Sequence, residues 1–298
     1  MTPVDVAVLG SINLDVVIGV DAFPRPGETL MSNTVVQTLG GKGANQAIAA
    51  ARLGANTAMI GAVGDDDAGR WLTGLLKDNQ VGADTIEVMS IGSGMAHVIV
   101  DAGGQNMILV QGGANAAVTP EMASAHTPDA RVCLAQLETP VPAIEAFFRL
   151  GKERGATTIL NTAPAMPGAE TLFPLADIVI LNETELSTYA RADDDLVSQA
   201  RALISRPGQT LIGTLGEAGA LAVTAAKDFA VAAHRVTAVD TTGAGDTFCG
   251  ALAASLASGS ALPDAIARAN AAAALSVTRP GAGLSAPTLS ELDEFLSR

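Results

Sequence analysis

Short apolar runs of strand length alternate along this chain with segments of helical periodicity. Such alternation predicts a parallel sheet whose two faces are both covered by helices. Five of the runs end on a side chain that forms hydrogen bonds, and these residues are Glu138, Asn161, Asn182, Thr214 and Asp240. Ligands of open α/β sheets bind beyond the carboxyl ends of the strands, so these positions predict one site along one rim.

The composition is that of a chain that buries a large core through small side chains. Hydrophobic residues make up 48% of the 298 residues, which suffices for one large α/β domain or two smaller ones. The chain contains one Trp, one Tyr and seven Phe, so we expect helices and strands to pack closely through glycine and alanine.

The net charge of −14 argues against a nucleic-acid groove or an anionic membrane surface as partner. A polyphosphate site would need its own positive field from backbone amides, a few basic side chains or metal ions. Cys133 and Cys249 are too few for a disulfide framework, so a reducing compartment is expected. The chain shows no basic leader and no apolar run of about twenty residues, which predicts a cytoplasmic protein outside membranes.

Two stretches interrupt the alternation of strands and helices, and they predict a small separate sheet. Short strands are expected at 15–20, 33–37, 95–101 and 106–111, and no covering helix follows any of them. We expect these strands to form a lid over the rim, with hinges at Gly92, Gly94, Gly112 and Gly113. The alternative is an edge hairpin with an irregular surface loop.

The lid contains more apolar residues than one small sheet can bury. Alternation along the strands places several of them on one face, namely Val16, Ile18, Val98, Val100 and Ile108. An exposed apolar sheet of this kind needs a further surface to cover it.

The segment 240–250 places glycines and a carboxylate at the expected start of a helix. The pattern predicts a short strand at 235–239 and a helix over 247–258, which ends at Gly259. The glycines would therefore lie at a helix N-terminus.

Gly243 and Gly245 permit backbone angles in which successive amides point into one concavity, where the helix dipole also favours an anion. Asp246 beside a phosphate suits a base that accepts the proton of an incoming hydroxyl. The segment therefore indicates phosphoryl transfer. The alternative is an ordinary strand-turn-helix connection whose Asp stabilises the first turn.

A second glycine-rich segment, 40–47, opens another predicted helix, which runs to about Leu53. It is not a P-loop, because Lys42 is followed by glycine and not by Ser or Thr. The segment after the first strand, in turn, lacks the spaced glycines of a dinucleotide site. A P-loop kinase and a nicotinamide-linked dehydrogenase are therefore disfavoured. Side chains suited to sugar hydroxyls stand nearby, and these are Asn13, Asp15, Lys42 and Asn45.

In order and spacing, ten short elements resemble the ribokinase-like (PfkB) family of sugar kinases along essentially the whole chain. They are 10–15, 23–28, 40–47, 64–66, 113–115, 136–138, 182–185, 214–216, 240–248 and 277–281. The resemblance implies one domain, residues 1–298, with a three-layer α/β/α core and a β-sheet lid from about 13–37 and 94–112. It also implies ATP as donor, Mg²⁺ and K⁺ as cations, and a homodimer through the lid.

The same resemblance assigns roles to residues at the matching positions. Sugar hydroxyls are expected at Asn13, Asp15, Gly41, Lys42, Asn45 and Glu138. Asp246 is expected as the base that contacts the primary hydroxyl, with the amides of Gly243, Ala244 and Gly245 stabilising the transferred phosphoryl group. The nucleotide is expected at Asn182, Thr214, Leu215, Gly216, Glu217, Ala218, Gly219, Gly245 and Asn270, and Glu185 is expected to organise Mg²⁺. The implied K⁺ site comprises Asp240, Thr242, Ser276, Arg279, Gly281 and Ser285.

The activity implied by the resemblance is ATP-dependent phosphorylation of the primary O5 hydroxyl of D-ribose. Gly243 and Cys249 depart from the pattern common in the family, so other acceptors stay open: deoxyribose, a ketohexose, 2-keto-3-deoxygluconate or adenosine. Asn270 stands where a His is common on the adenine side, so the base preference of the nucleotide site also stays open. A catalytically silent sugar-binding relative is a further alternative, but such a relative would be expected to lose Asp246 or its glycines.

Overall fold

The computed structural model describes residues 2–190 and 195–297. The strands are β1 (Val4–Leu9), β2 (Asn13–Gly19), β3 (Thr34–Gly40), β4 (Thr57–Gly64), β5 (Val81–Gly82), β6 (Ile86–Met89), β7 (Gly94–Val100), β8 (Asn106–Gln111), β9 (Ala130–Ala135), β10 (Thr157–Asn161), β11 (Ile178–Asn182), β12 (Thr210–Thr214), β13 (Ala220–Val223) and β14 (Asp228–Val231). The α-helices are α1 (Lys42–Arg52), α2 (Asp67–Asp78), α3 (Pro120–His126), α4 (Val141–Glu153), α5 (Glu183–Tyr189), α6 (Leu196–Ala202), α7 (Ala244–Ala257), α8 (Leu262–Ser276) and α9 (Leu289–Leu296). Short 3₁₀ turns occupy Gly113–Ala117, Ala169–Leu175, Gly216–Ala218 and Gly283–Ser285.

The main sheet has the strand order β14-β13-β12-β11-β10-β9-β1-β4-β5, and β6 also pairs with β4. From β12 to β5 the neighbouring strands are parallel, as expected. At the other edge β13 and β14 are antiparallel, so the expectation of a purely parallel sheet is wrong there. Only residues 215–219 separate β12 from β13, which is too short for the crossover that a parallel strand needs.

The side chains of β1 alternate between two buried faces of the main sheet. Val6 and Val8 belong to the core beneath α1, α2, α7, α8 and α9. Ala7 and Leu9 belong to the core beneath α3, α4, α5 and α6, where Phe147 supplies bulk. This double coverage leaves only the strand ends open to ligands and confirms the three-layer core. Within the described ranges, no helix combines the length and apolarity needed to cross a membrane.

The four strands expected outside the main alternation form a second sheet, as predicted, and its strand order is β3-β2-β7-β8. Its inner pair, β2 and β7, is parallel, and both outer pairs are antiparallel. The register places Asp15, Val98 and Ile108 on one face, whereas Val16 and Ile18 lie on the opposite face. The single apolar face expected from the sequence is therefore wrong, since that set mixes two faces.

The strand expected at 235–239 is not formed, because this segment pairs with no strand of residues 2–190 and 195–297. It leaves the sheet after β14 and crosses to α7, and the amides of Val239 and Asp240 donate to the carbonyl of Val277 at 2.7 and 3.2 Å. Apolar alternation favours a strand only where a neighbour supplies ladder partners. α7 itself begins at Ala244, three residues before the predicted start at Thr247.

Candidate active site

The carboxyl ends of β10, β11 and β12 meet the N-terminus of α7 around a pocket of about 210 Å³. The rim predicted from polar strand ends is therefore where this pocket lies. It is lined by Lys42, Asn161, Ala163, Ile180, Asn182, Glu185, Thr214, Thr241, Gly243, Ala244, Gly245, Asp246 and Cys249.

Gly243 precedes α7 in a left-handed conformation, with φ of 75°. A Cβ there would lie 2.8 Å from the Cα of Ala282, so both the backbone angle and the close approach require glycine. A Cβ at Gly245 would meet no atom within 4 Å, so this residue borders open space. The first-turn amides of a helix lack intrahelical partners, which makes this end of the pocket suited to an anion.

Asp246 is buried in the first turn of α7. Asn45 Nδ2 donates to one carboxylate oxygen and Gln46 Nε2 to the other, both at 2.9 Å. Gln46 Nε2 also donates to Asn161 Oδ1 at 3.1 Å, and Gln136 Nε2 donates to Gln46 Oε1 at 2.7 Å. Two amide donors thus fix the orientation of a carboxylate at the pocket, as a general base requires.

The predicted sugar residues form a second polar cluster where β1, β2 and α1 meet. Glu138 accepts hydrogen bonds from the hydroxyl of Ser11 and, at 3.0 Å, from the backbone amide of Lys42. Gly41 has a φ of 88°, and a Cβ there would lie 2.8 Å from the carbonyl oxygen of Ser11. The glycines therefore let α1 begin directly against the end of β1 and bring Lys42 beside Glu138.

Asp15 extends from β2 over Gly40 of β3, where any Cβ would overlap its carboxylate. Its Oδ1 is buried without a hydrogen-bond partner among the described residues. Burial and the neighbouring carboxylates of Glu138 and Asp246 raise the pKa of Asp15 from 3.8 to about 7. A buried acceptor without a partner is suited to the hydroxyl of a polyol.

Lys42 interacts electrostatically with both Glu138 of the predicted sugar cluster and Asp246 at the start of α7. The charge of Asp246 is the largest cause of its raised pKa, burial acts in the opposite direction, and Glu138 and Glu185 raise the pKa further. The ammonium therefore stays charged at neutral pH. It supplies the local positive charge that a polyphosphate site needs in a chain of net charge −14.

Asn182 and Glu185 form a capping box at the start of α5. Asn182 Oδ1 accepts from the Glu185 amide at 2.8 Å, and Glu185 Oε2 accepts from the Asn182 amide at 2.9 Å. Burial raises the pKa of Glu185, although the Asn182 amide and the charge of Lys42 act against it. Glu185 is therefore a buried carboxylate beside the pocket and not a solvated one.

No three His, Cys, Asp or Glu side chains cluster as a metal cage within residues 2–190 and 195–297. Mg²⁺ in phosphoryl-transfer sites keeps several waters and is held through one or two carboxylates and the substrate phosphates. A buried carboxylate such as Glu185 at the pocket wall fits that mode.

The remaining predicted nucleotide residues lie together beside β12 and β14. Leu215, Gly216, Glu217, Ala218 and Gly219 form a tight turn, in which the Leu215 amide donates to the Gly219 carbonyl at 2.8 Å. Asn270 Nδ2 donates to the carbonyls of Val231 and Ala232, at 2.9 and 3.3 Å. Asn270 is buried, and both its N–H groups are used, so it offers only Oδ1 to a ligand.

The predicted cation residues come from two segments that contact each other, 240–242 and 276–285. Asp240 accepts hydrogen bonds from the amides of Thr242 and Gly281, at 2.9 and 3.0 Å. Burial alone would raise the pKa of Asp240, but these bonds hold it below its usual value. Arg279 Nε donates to the carbonyl of Ser285 at 2.8 Å, so that oxygen already has one partner. The hydroxyl of Ser276 donates to the carbonyl of Ala273 within α8.

Three buried residues without a role in the sequence analysis support the site. Ser11 donates a hydrogen bond to Glu138, Gln46 donates to Asp246, and Gln136 donates to Gln46. Each stands inside one of the ten motifs, so their places in those motifs are the signal that could have identified them.

A family model described as pfkB family carbohydrate kinase matches residues 4–289. A ribokinase from Haemophilus influenzae is 38% identical, and the match covers 97% of this chain and 97% of that protein. A deoxyribokinase from Salmonella typhi is 34% identical, and the match covers 98% of this chain and 99% of that protein.

Among solved structures, the ribokinase of Arabidopsis thaliana complexed with ribose and ATP matches with a TM-score of 0.90. The two chains are 30% identical, and the match covers 100% of each. The fold and these comparisons thus define a phosphotransferase of the sugar kinase class. The chain belongs to the pfkB family of carbohydrate kinases.

Proposed function

We propose that this protein transfers the γ-phosphoryl group of ATP to the O5 hydroxyl of D-ribose, giving ribose 5-phosphate and ADP. The observation that carries the proposal is the position of Asp246, which lies between the helix end suited to phosphate and the polar cluster suited to a polyol. The ribokinase relative supports ribose as acceptor. The proposal takes residues 1–298 as one cytoplasmic kinase domain, with lid segments at about 13–37 and 94–112.

In the proposed reaction, Asp246 accepts the proton of the O5 hydroxyl while that oxygen attacks the γ-phosphorus. The new O5–phosphorus bond forms as the bond to the bridging oxygen of the β-phosphate breaks, and ADP leaves. The amides of Gly243, Ala244 and Gly245 donate to the transferred group, and Lys42 adds positive charge. The sugar is held by Asn13, Asp15, Gly41, Lys42, Asn45 and Glu138.

The nucleotide is assigned to the rim that runs from Asn182 past Thr214 to the turn 215–219. Mg²⁺, when bound with ATP, supplies a charge that neutralises the phosphates, and Glu185 would hold it through water. Asn270 would face the base only with Oδ1, because its N–H groups donate to the carbonyls of Val231 and Ala232 at the end of β14.

The acceptor is tested by ADP release with ribose, 2-deoxyribose, fructose, 2-keto-3-deoxygluconate and adenosine. We expect the highest kcat/KM with ribose, about tenfold or more above 2-deoxyribose, because one lost hydroxyl leaves buried polar groups unpaired. A higher value with deoxyribose would instead favour deoxyribokinase activity, which the Salmonella typhi relative supports. Absence of turnover with any acceptor would leave a silent sugar-binding protein.

Potassium is expected to raise kcat several-fold over Na⁺ or Li⁺ at equal ionic strength. The proposed site lies where 240–242 meets 276–285, and backbone carbonyls are its expected ligands. A cation there would orient the peptide units that lead into the amides of 243–245. Steady-state assays should show that Asp240→Ala abolishes the response, whereas Asp228→Ala, which removes a surface ion pair with Arg201, keeps it. Equal kcat in all three salts would refute the site.

Two copies are expected to associate through the lid. Its edge strands expose apolar side chains, with Val35 58%, Val36 56%, Leu109 61% and Val110 59% exposed. Such edges are normally covered in a stable protein. Light scattering at micromolar concentration should give about twice the chain mass of 29.9 kDa.

The matched variants are Leu109→Lys in the lid and Val88→Lys outside it, since both side chains are 61% exposed. We expect only the lid variant to lower the measured mass. A monomeric parent protein at this concentration would show that the lid is not the interface.

A further inference from the structure

Asn115 holds the start of the sugar cluster through three hydrogen bonds. It is buried in the 3₁₀ turn Gly113–Ala117, directly after β8. Its Oδ1 accepts from the Ile12 amide at 2.9 Å, and its Nδ2 donates to the Ile12 carbonyl at 3.2 Å. The same Nδ2 donates to Asn13 Oδ1 at 2.7 Å. One side chain therefore holds both the backbone before β2 and the first sugar-binding residue on it.

These contacts leave only one orientation for both amides. A backbone N–H only donates and a carbonyl only accepts, so the backbone of Ile12 decides which end of the Asn115 amide is oxygen. The second N–H of Asn115 then points at the side chain of Asn13. Since an N–H needs an acceptor, the Asn13 atom that faces it must be Oδ1. Asn13 Nδ2 is turned away from Asn115, and it has no hydrogen-bond partner within the part of the chain that the structure describes.

Gly94 provides the space for the hydrogen bond between the two asparagines. It is aligned with Asn13 in the register of β2 and β7. A Cβ at Gly94 would overlap both Asn115 Nδ2 and Asn13 Oδ1. The φ of Gly94 lies outside the left-handed region, so alanine is disfavoured there by this overlap and by the Ile12 carbonyl oxygen, which would lie 3.0 Å from the Cβ. Gly94→Ala is therefore a way to disturb the bond without changing either asparagine.

We propose that Asn115 is a positioning residue for the sugar, which turns the Asn13 amide so that its N–H groups donate to a sugar oxygen. Asn13 and Asp15 share one face of β2, so the strand presents a donor followed by an ionisable acceptor. A hydroxylated carbon satisfies either group, whereas a methylene satisfies neither. The inference rests on the proposed function, because it assigns Asn13 to the sugar.

The test is a double-mutant cycle on sugar affinity. Asn115→Asp keeps the shape but places an oxygen against both Asn13 Oδ1 and the Ile12 carbonyl, so the Asn13 amide must turn its oxygen toward the sugar. We expect the Kd for ribose, measured by calorimetry, to rise at least about tenfold, with kcat and the KM for ATP within about twofold. In an Asn13→Ala background, Asn115→Asp should add no further loss. Gly94→Ala should reproduce the effect of Asn115→Asp.

The matched control is Gln209→Glu, another buried amide that donates to two backbone carbonyls, those of Phe173 and Ala176. It should lower Tm and leave the Kd for ribose unchanged. An unchanged Kd in Asn115→Asp, a loss that adds to that of Asn13→Ala, or an equal loss of ATP affinity would each overturn the positioning role.

The failure of the proposed function is distinguishable from these outcomes. If the parent protein prefers another acceptor, the cycle is run with that sugar and decides the role of Asn115 in the same way. If the parent protein binds a sugar without phosphorylating it, the kinase proposal fails while the Kd cycle still stands. If it binds no sugar at all, both proposals fall together.

Discussion

Asp246→Asn is expected to lower kcat by about 10²- to 10⁴-fold, with the affinity for sugar changed far less. The amide cannot accept a proton at neutral pH, so the attacking hydroxyl stays protonated as its bond to phosphorus forms. Steady-state kinetics and calorimetry with the same sugar separate the two quantities.

The hydrogen bonds of Asp246 make a second variant necessary. Asn45 and Gln46 each donate to one of its oxygens, so an asparagine would place an N–H group against one of these donors. One neighbour must then turn, which alters the site as well as the base. Asp246→Ala removes the carboxylate without adding a donor, and its kcat should fall by a similar factor.

The control is Asp177→Asn, whose carboxylate pairs with Lys152 and Arg206 and does not line the pocket. It should lower the free energy of unfolding and leave kcat within about twofold of the parent protein. A kcat within tenfold of the parent protein in both Asp246 variants would show that another group accepts the proton.

The position of Asp246 could be predicted because its signals are local. Glycines before a helical segment, followed by a carboxylate, are read from a few consecutive residues. The orientation of that carboxylate could not be predicted in the same way. It depends on Asn45, which is 201 residues away in the sequence, and on the chain of amides from Gln46 to Gln136.

The wrong predictions about the fold have the same origin. The residues 235–239 have a strand-like pattern, but whether they form a strand depends on a neighbour that only the tertiary structure provides. The lid was predictable as four strands, whereas the faces of Val16 and Val98 depend on the register between β2 and β7. Local patterns therefore predict which residues are able to form a strand. Whether the strand forms, and which face of the sheet each side chain lies on, depends on pairing with neighbouring strands.

Asp15→Asn is expected to stabilise the free protein at pH 8 and to weaken sugar binding. The pKa of Asp15 is about 7 in the folded protein against 3.8 in a model peptide, so the folded state holds this proton more tightly. The contribution of the group to stability is complete below about pH 4 and is lost as pH rises toward 7. At pH 8 the ionised carboxylate costs at most roughly 4 kcal/mol, which asparagine avoids.

Thermal unfolding at pH 4.5 and pH 8 measures this effect. The gain in Tm from Asp15→Asn should be large at pH 8 and small at pH 4.5. Glu291→Gln is the control of opposite sign, because hydrogen bonds from Arg279 are the largest cause that lowers the pKa of Glu291 to about 2. Its stabilising contribution is present above about pH 4.5 and is lost as pH falls toward 2, so its removal should lower Tm at pH 8.

Saturating sugar should narrow the difference in Tm at pH 8 between the parent protein and Asp15→Asn. The Oδ1 of Asp15 is a buried acceptor without a partner in the described part of the chain, and a sugar hydroxyl that donates to it stabilises the ionised form. A ligand that binds only the folded state stabilises it by an amount that grows with the logarithm of its concentration divided by Kd, so at equal concentration the parent protein should gain more from ribose than the variant. If Asp15→Asn lowers Tm at pH 8, or gains as much from ribose as the parent protein, the carboxylate is not held at a cost for sugar recognition.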